Sequence, residues 1–170
     1  LDLATRRATN LGEAQAFKAE LRELRRAVSG SLEAAKAFDE RIKHVRQAIL
    51  DTPAADPALF AEAERLGDSL DEIMVALRGD PTKEARNVFQ PPSIRDRVER
   101  IASDQYYVSS APTTTQRDAY GWAAVAFTAE LGRLEQVERD LEALEAKLEA
   151  AGGPWTPGRL PEWRGTGGSD

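Results

Sequence analysis

The chain has no cysteine, a single histidine and few aromatic residues, 6% of the total. Without Cys there is no disulfide, no thiolate metal ligand and no cysteine nucleophile, although compartment stays open because exported bacterial proteins often lack Cys as well. His44 stands alone, so a two-histidine metal site or a serine with an ordered histidine base cannot be assembled. The Glu-x-x-His repeats of a carboxylate di-metal bundle and the Gly-rich loop of a phosphate site are both missing. Carboxylates are plentiful but fall at salt-bridge spacing on solvated helix faces, and no pair stands apart as a desolvated acid and base. The expectation is a chain with no catalytic residue, no cofactor and no metal site.

No stretch reaches the roughly 20 apolar residues of a membrane span. The opening Leu1-Asp2-Leu3-Ala4-Thr5-Arg6-Arg7 lacks the apolar core of a signal peptide and an initiator Met, and reads as part of a longer or processed chain. A basic excess is also missing. The 23 Lys and Arg against 29 Asp and Glu give a net charge of −6, which argues against nucleic acid as a partner. Basic residues lead in the first fifty positions and acidic ones afterwards, a pattern suited to a basic-leaning helix beside acidic-leaning neighbours.

What the chain does have is helical periodicity. Its 170 residues, 41% hydrophobic and 31% charged, suffice for one domain with a buried core, and abundant Ala with few aromatics suits helix packing over sheet. Ala14, Phe17, Leu21, Leu24, Val28, Ser31, Ala35, Phe38, Ile42, Val45 and Ile49 recur at alternating steps of three and four, a heptad stripe that needs partner helices to cover it. The helix is expected from Thr9 or Asn10, with Glu13 in capping-box spacing, to about Asp51. Gly30 and its serine neighbours are its weak point, where a bend is expected more than a turn.

Thr52-Pro53-Ala54-Ala55-Asp56-Pro57 stops this helix and starts a second, with Asp56 as cap and Leu59, Ala63, Leu66, Leu70, Ile73 and Leu77 as its stripe. The short connection makes it antiparallel to the end of the first. Arg78-Gly79-Asp80-Pro81 reads as a helix stop; its Arg-Gly-Asp match is too short to imply adhesion. Val88 and Phe89 are expected to tuck onto the bundle end. Ser93 with Asp96 opens a short helix of about ten residues that exposes Arg95, Arg97 and Arg100, and the loop after it holds Tyr106 and Tyr107. Thr113 with Gln116 opens the last long helix, whose stripe runs from Tyr120 and Ala124 through Phe127 and Leu131 to Leu148. It stops at Gly152-Gly153-Pro154. The tail from Trp155 holds Trp163 and ends in a loose Gly-rich segment.

The order of Leu-rich helix, Asp80-Pro81 and Pro91-Pro92 linker, Ser93-Ile94-Arg95-Asp96-Arg97-Val98, Ala111-Pro112-Thr113 helix start and Pro/Trp tail resembles the C-terminal helical domain of bacterial sortilin-like, BNR-repeat β-propeller proteins, often labelled glycosyl-hydrolase-like or photosystem II stability-factor-like. The resemblance implies a periplasmic or extracellular protein in which this domain packs against or extends from an upstream propeller, with that propeller or another protein as its partner, and in which any hydrolytic site belongs to the propeller.

The expected architecture is an all-α antiparallel bundle of two long helices, one medium and one short, with a linker over 1–9, the bundle over 10–151 and the tail over 152–170. The expected function is non-catalytic scaffolding or interaction. Tyr106, Tyr107, Trp155 and Trp163 are the candidate partner-binding residues, at one bundle end and along the tail, because the stripes leave these aromatics unassigned and Tyr and Trp are enriched at binding hot spots. The alternative is self-association of the long first helix as a coiled-coil dimer or filament.

Overall fold

The computed structural model describes residues 2–106, 110–161 and 163, with side chains from Leu11 onward. Among these residues there are five helices and no strand: α1 (Asp2–Leu50), α2 (Ala58–Arg78), α3 (Pro81–Ala85), α4 (Ile94–Tyr106) and α5 (Thr114–Ala150). The all-α bundle with two long, one medium and one short helix is present, and α3 is an addition to it.

Side-chain pairs fix the direction of each arm. Glu13 meets Arg117 at 3.2 Å and Arg41 meets Glu145 at 2.7 Å, so α1 and α5 run parallel. Arg46 meets Glu64, and Glu72 and Glu62 meet Arg133 and Lys147, which sets α2 antiparallel to both long helices along their C-terminal halves. Arg25 meets Glu99 and Gln105 meets Gln116, so α4 continues the direction of α2 along the N-terminal halves. The molecule is therefore an up-down-up three-helix bundle whose middle arm is broken. At 1.5 Å per residue, α2 and α4 together cover about 51 Å against about 55 Å for α5, so the two short helices fill one groove end to end.

The α1 stripe is consumed by this packing. Phe17, Leu21, Leu24, Val28, Ala35, Phe38, Ile42, Val45 and Ile49 are all buried in one continuous core with Leu66, Leu70, Ile73, Leu77, Phe127, Leu134 and Leu141. The helix runs unbroken through Gly30: Val28 and Leu32 are buried on either side of it, and that packing outweighs the roughly 1 kcal/mol a helical glycine costs. α1 also begins at Asp2, not at Thr9 or Asn10, and so takes in residues expected as linker. Nothing between Asp2 and Asn10 is Gly or Pro, so the capping-box spacing there has no chain break to act on.

Several local starts match the sequence chemistry. Thr113 and Gln116 form a reciprocal capping box at α5, Ser93 and Asp96 form one at α4, and Asp56 accepts the Ala58 N–H at 2.8 Å at the start of α2. α4 runs to 13 residues, longer than expected. Along α5 the stripe shifts slightly: Ala123 is buried, while Tyr120, Ala124 and Leu131 are half-buried. α5 ends with Gly152 at φ +84° and the Gly153 N–H on the Leu148 carbonyl at 2.9 Å, a glycine stop.

Candidate interaction surface

A continuous middle helix would serve the bundle core equally well, so the break between α2 and α4 is where the fold departs from economy. The break is built, not frayed. Gly79, at φ +86°, closes α2 by donating its N–H to the Val75 carbonyl at 2.8 Å. The Asp80 carboxylate accepts the N–H groups of Thr82 and Lys83 at 2.9 and 3.3 Å and starts α3. These bonds, the Lys83 N–H foremost, hold the Asp80 carboxyl below its ordinary range. The carboxylate of the Arg-Gly-Asp tripeptide is thus engaged in capping. Gln90 then clamps the segment: its Oε1 accepts the Asp80 N–H at 3.0 Å and its Nε2 donates to the Asp80 carbonyl at 3.3 Å.

The clamp fixes what the break presents. Val75, Ala76, Pro91, Pro92 and Ile94 face Trp122, Ala126 and Ala129 of α5 across a shallow groove of about 350 Å³. Trp122 is half exposed, and the Arg97 guanidinium lies over its ring at 3.9 Å from the centroid, a cation–π contact. Val88 and Phe89, expected against the bundle end, are instead 50% and 89% exposed in the segment that leads into Pro91. The Gln90 clamp is the physical reason, since it ties the backbone on the far side of Phe89 to Asp80 and leaves the ring in solvent. Arg97, expected on a solvated face, is partly covered by Trp122; Arg95 and Arg100 are exposed. Neither Arg78 nor Arg97 has a carboxylate partner among the described residues, and the Nε of each is buried without a hydrogen-bond acceptor.

The residues singled out from sequence are dispersed. Tyr106 is exposed at the end of α4 and, with Gln15, Lys18, Leu21, Arg22 and Gln105, lines a groove between α1 and α4. Tyr107 lies outside the described residues, as does the Gly-rich end of the tail. Trp155 follows the other end of α5, about 55 Å from Tyr106 at helical rise, so these two aromatics do not form one bundle-end surface. The tail is anchored by buried Thr156 and by Arg159 on Glu149, while Trp155 is 42% and Trp163 82% exposed. Sequence reasoning missed Trp122, which sits two positions after the stripe residue Tyr120 and one before the buried Ala123; its helical position at the stripe's edge, opposite a Pro-Pro break, is the signal that could have found it.

His44 is exposed on α1. Among the described residues no group of three His, Cys, Asp or Glu side chains is placed to share a metal ion, and no helix is long and apolar enough to cross a membrane. The Gln105 Oε1 is buried without a partner, yet it has essentially no accessible surface, so a molecule in the α1–α4 groove would not reach it.

No family model, curated protein or solved structure matches the chain.

Proposed function

We propose that this chain is a non-catalytic helical interaction module that docks a protein partner at the break in its middle arm. The observation that carries the reading is the half-exposed Trp122 beneath Arg97, facing Pro91 and Pro92 across the groove, with the exposed Phe89 two residues before Pro91 in the chain. Aromatic and Arg side chains are the types that dominate binding energy, and they do so at centres that a partner desolvates on docking. The Arg97 guanidinium over Trp122, with no carboxylate partner among the described residues, favours a partner surface that brings acidic groups to the rim of an apolar centre. The non-catalytic part of the proposal rests on the residue inventory, with one exposed histidine and carboxylates largely committed to ion pairs and caps. The resemblance noted from sequence supplies a candidate for the partner, a β-propeller domain of an exported bacterial protein, and the break would then face that propeller.

Association with a propeller-bearing partner, measured for Phe89→Ser and Trp122→Ser, tests this. Both variants should keep a near-normal unfolding midpoint and lose binding. Equal loss from Tyr106→Ser or Trp163→Ser, with Phe89→Ser silent, would move the surface to the bundle end and tail and overturn the proposal.

A further inference from the structure

The groove between α1 and α4 measures about 670 Å³, larger than the one of about 350 Å³ at the break. Its volume falls within the roughly 300–1,000 Å³ of small-molecule sites. Buried Leu21 and half-buried Ala102 lie at its floor, exposed Tyr106 stands at its rim, and Lys18, Arg22 and Arg25 line its α1 wall. The two walls are held at a fixed separation. Arg25 donates through Nε to Glu99 of α4 at 2.7 Å. The buried Gln105 donates through Nε2 to the Gln116 Oε1 at 2.7 Å, which ties the α4 wall to the capping box of α5. Both bonds join regular helices, so the groove is formed before any ligand arrives and binding costs little ordering.

In a chain of net charge −6, this groove is positive. No Asp or Glu is among the described residues that line it. Glu99 neutralises Arg25, whereas Arg22 is exposed and has no carboxylate partner among the described residues. Lys18, Arg22 and Arg25 stand at steps of four and three on one helix face, a spacing at which like charges destabilise a helix. Ala or Gln would serve helix formation there as well, so neither propensity nor core packing accounts for the three cations. An anion in the groove turns their repulsion into attraction. The Arg22 guanidinium offers a planar fork to a carboxylate or sulfonate, while the aliphatic stems of the cations, Leu21, Ala102 and the Tyr106 ring offer an apolar bed. We propose that the α1–α4 groove binds a small amphipathic anion, its charged head on Arg22 and its apolar body over Leu21 and Ala102. This site is separate from docking at the break and does not depend on it.

Fluorescence titration of the full chain with anilinonaphthalene sulfonate, an aromatic anion, reads the outcome, with the neutral phenylnaphthylamine as its uncharged counterpart. The expected result is saturable binding with Kd on the order of 10–100 µM, what a drug-sized ligand reaches at ordinary efficiency. Arg22→Glu should weaken it by about tenfold or more with an unchanged helical circular-dichroism signal, while Arg22→Lys, which keeps the charge, should retain most of it. Rising salt should weaken it too, and phenylnaphthylamine should bind far less tightly. No binding up to about 1 mM, binding that Arg22→Glu leaves intact, or equal binding of the neutral amine overturns the proposal. Phe89→Ser and Trp122→Ser should leave the affinity unchanged, which keeps this result separate from docking at the break; binding lost in Trp122→Ser but kept in Arg22→Glu would also overturn it.

Discussion

Removing either partner of the Arg41–Glu145 pair should destabilise the bundle by unequal amounts. Arg41 donates through Nε and Nη2 to the two Glu145 oxygens at 3.0 and 2.7 Å. The Glu145 side chain is fully buried between α1 and α5, while 22% of the Arg41 side chain reaches solvent. The hydrogen bond to Glu145, ahead of any other influence, raises the Arg41 pKa. In Arg41→Met the carboxylate is left inside with only Arg159, 3.5 Å away, for company. An uncompensated buried charge costs about 3–5 kcal/mol, and the residual Arg159 contact brings the expectation to about 2–3 kcal/mol. In Glu145→Leu the buried charge is gone, an apolar group of similar size takes its place, and the guanidinium can turn outward along its exposed edge. That variant should cost no more than about 1 kcal/mol, since buried pairs replaced by apolar residues are often close to neutral. Urea unfolding at constant m-value measures both, and the double variant Arg41→Met/Glu145→Leu should regain most of the loss seen in Arg41→Met alone. Equal costs for the two single variants, or a double variant as unstable as their sum, would refute the assignment of a charge pair sealed between the parallel long helices.

Two further outcomes follow from burial and capping. Phe38→Ala should lower stability by about 3–5 kcal/mol because the ring is 8% exposed in the main core, whereas Leu131→Ala, at a half-buried position, should cost about 1–2 kcal/mol; both are read from denaturant midpoints, and similar values would contradict the placement of α5. Asp80→Asn tests the cap at the break by pH. Because the Asp80 carboxyl is held below its ordinary range, its contribution is present above the unfolded-state pKa of about 4 and disappears as pH falls through the folded value. The wild type should therefore be the more stable at neutral pH, and the difference should vanish in acid; a difference that grows in acid would reverse the sign and remove the cap.

The long helices were legible because their stripes keep phase over many turns, and so were the stops at Thr52-Pro53, Gly79 and Gly152-Gly153, where the residue type itself forbids continuation. The capping boxes at Ser93 and Thr113 were legible for the same reason, since they act within one turn. The surface was not. Phe89 was expected to be covered because it is large and apolar, but its placement is decided by Gln90 reaching back ten residues to Asp80, a pairing no local pattern announces. Arg97 and Trp122 belong to different helices and meet only because α4 continues the line of α2. Tyr106 and Trp155 lie toward opposite ends of α5, because Gln105 of α4 meets Gln116 at the start of α5 while Trp155 follows its end, an order in space that no local pattern announces.

The central proposal is that the break in the middle arm is the docking surface, and site-specific photocross-linking reads it directly. A photoreactive phenylalanine analogue placed at position 89, in cells that produce the protein, should give one discrete cross-linked adduct, and Arg97→Glu should abolish it while the same analogue at position 163 gives none. A dominant adduct from position 163, or an adduct at position 89 that survives Arg97→Glu unchanged, would contradict docking at the break.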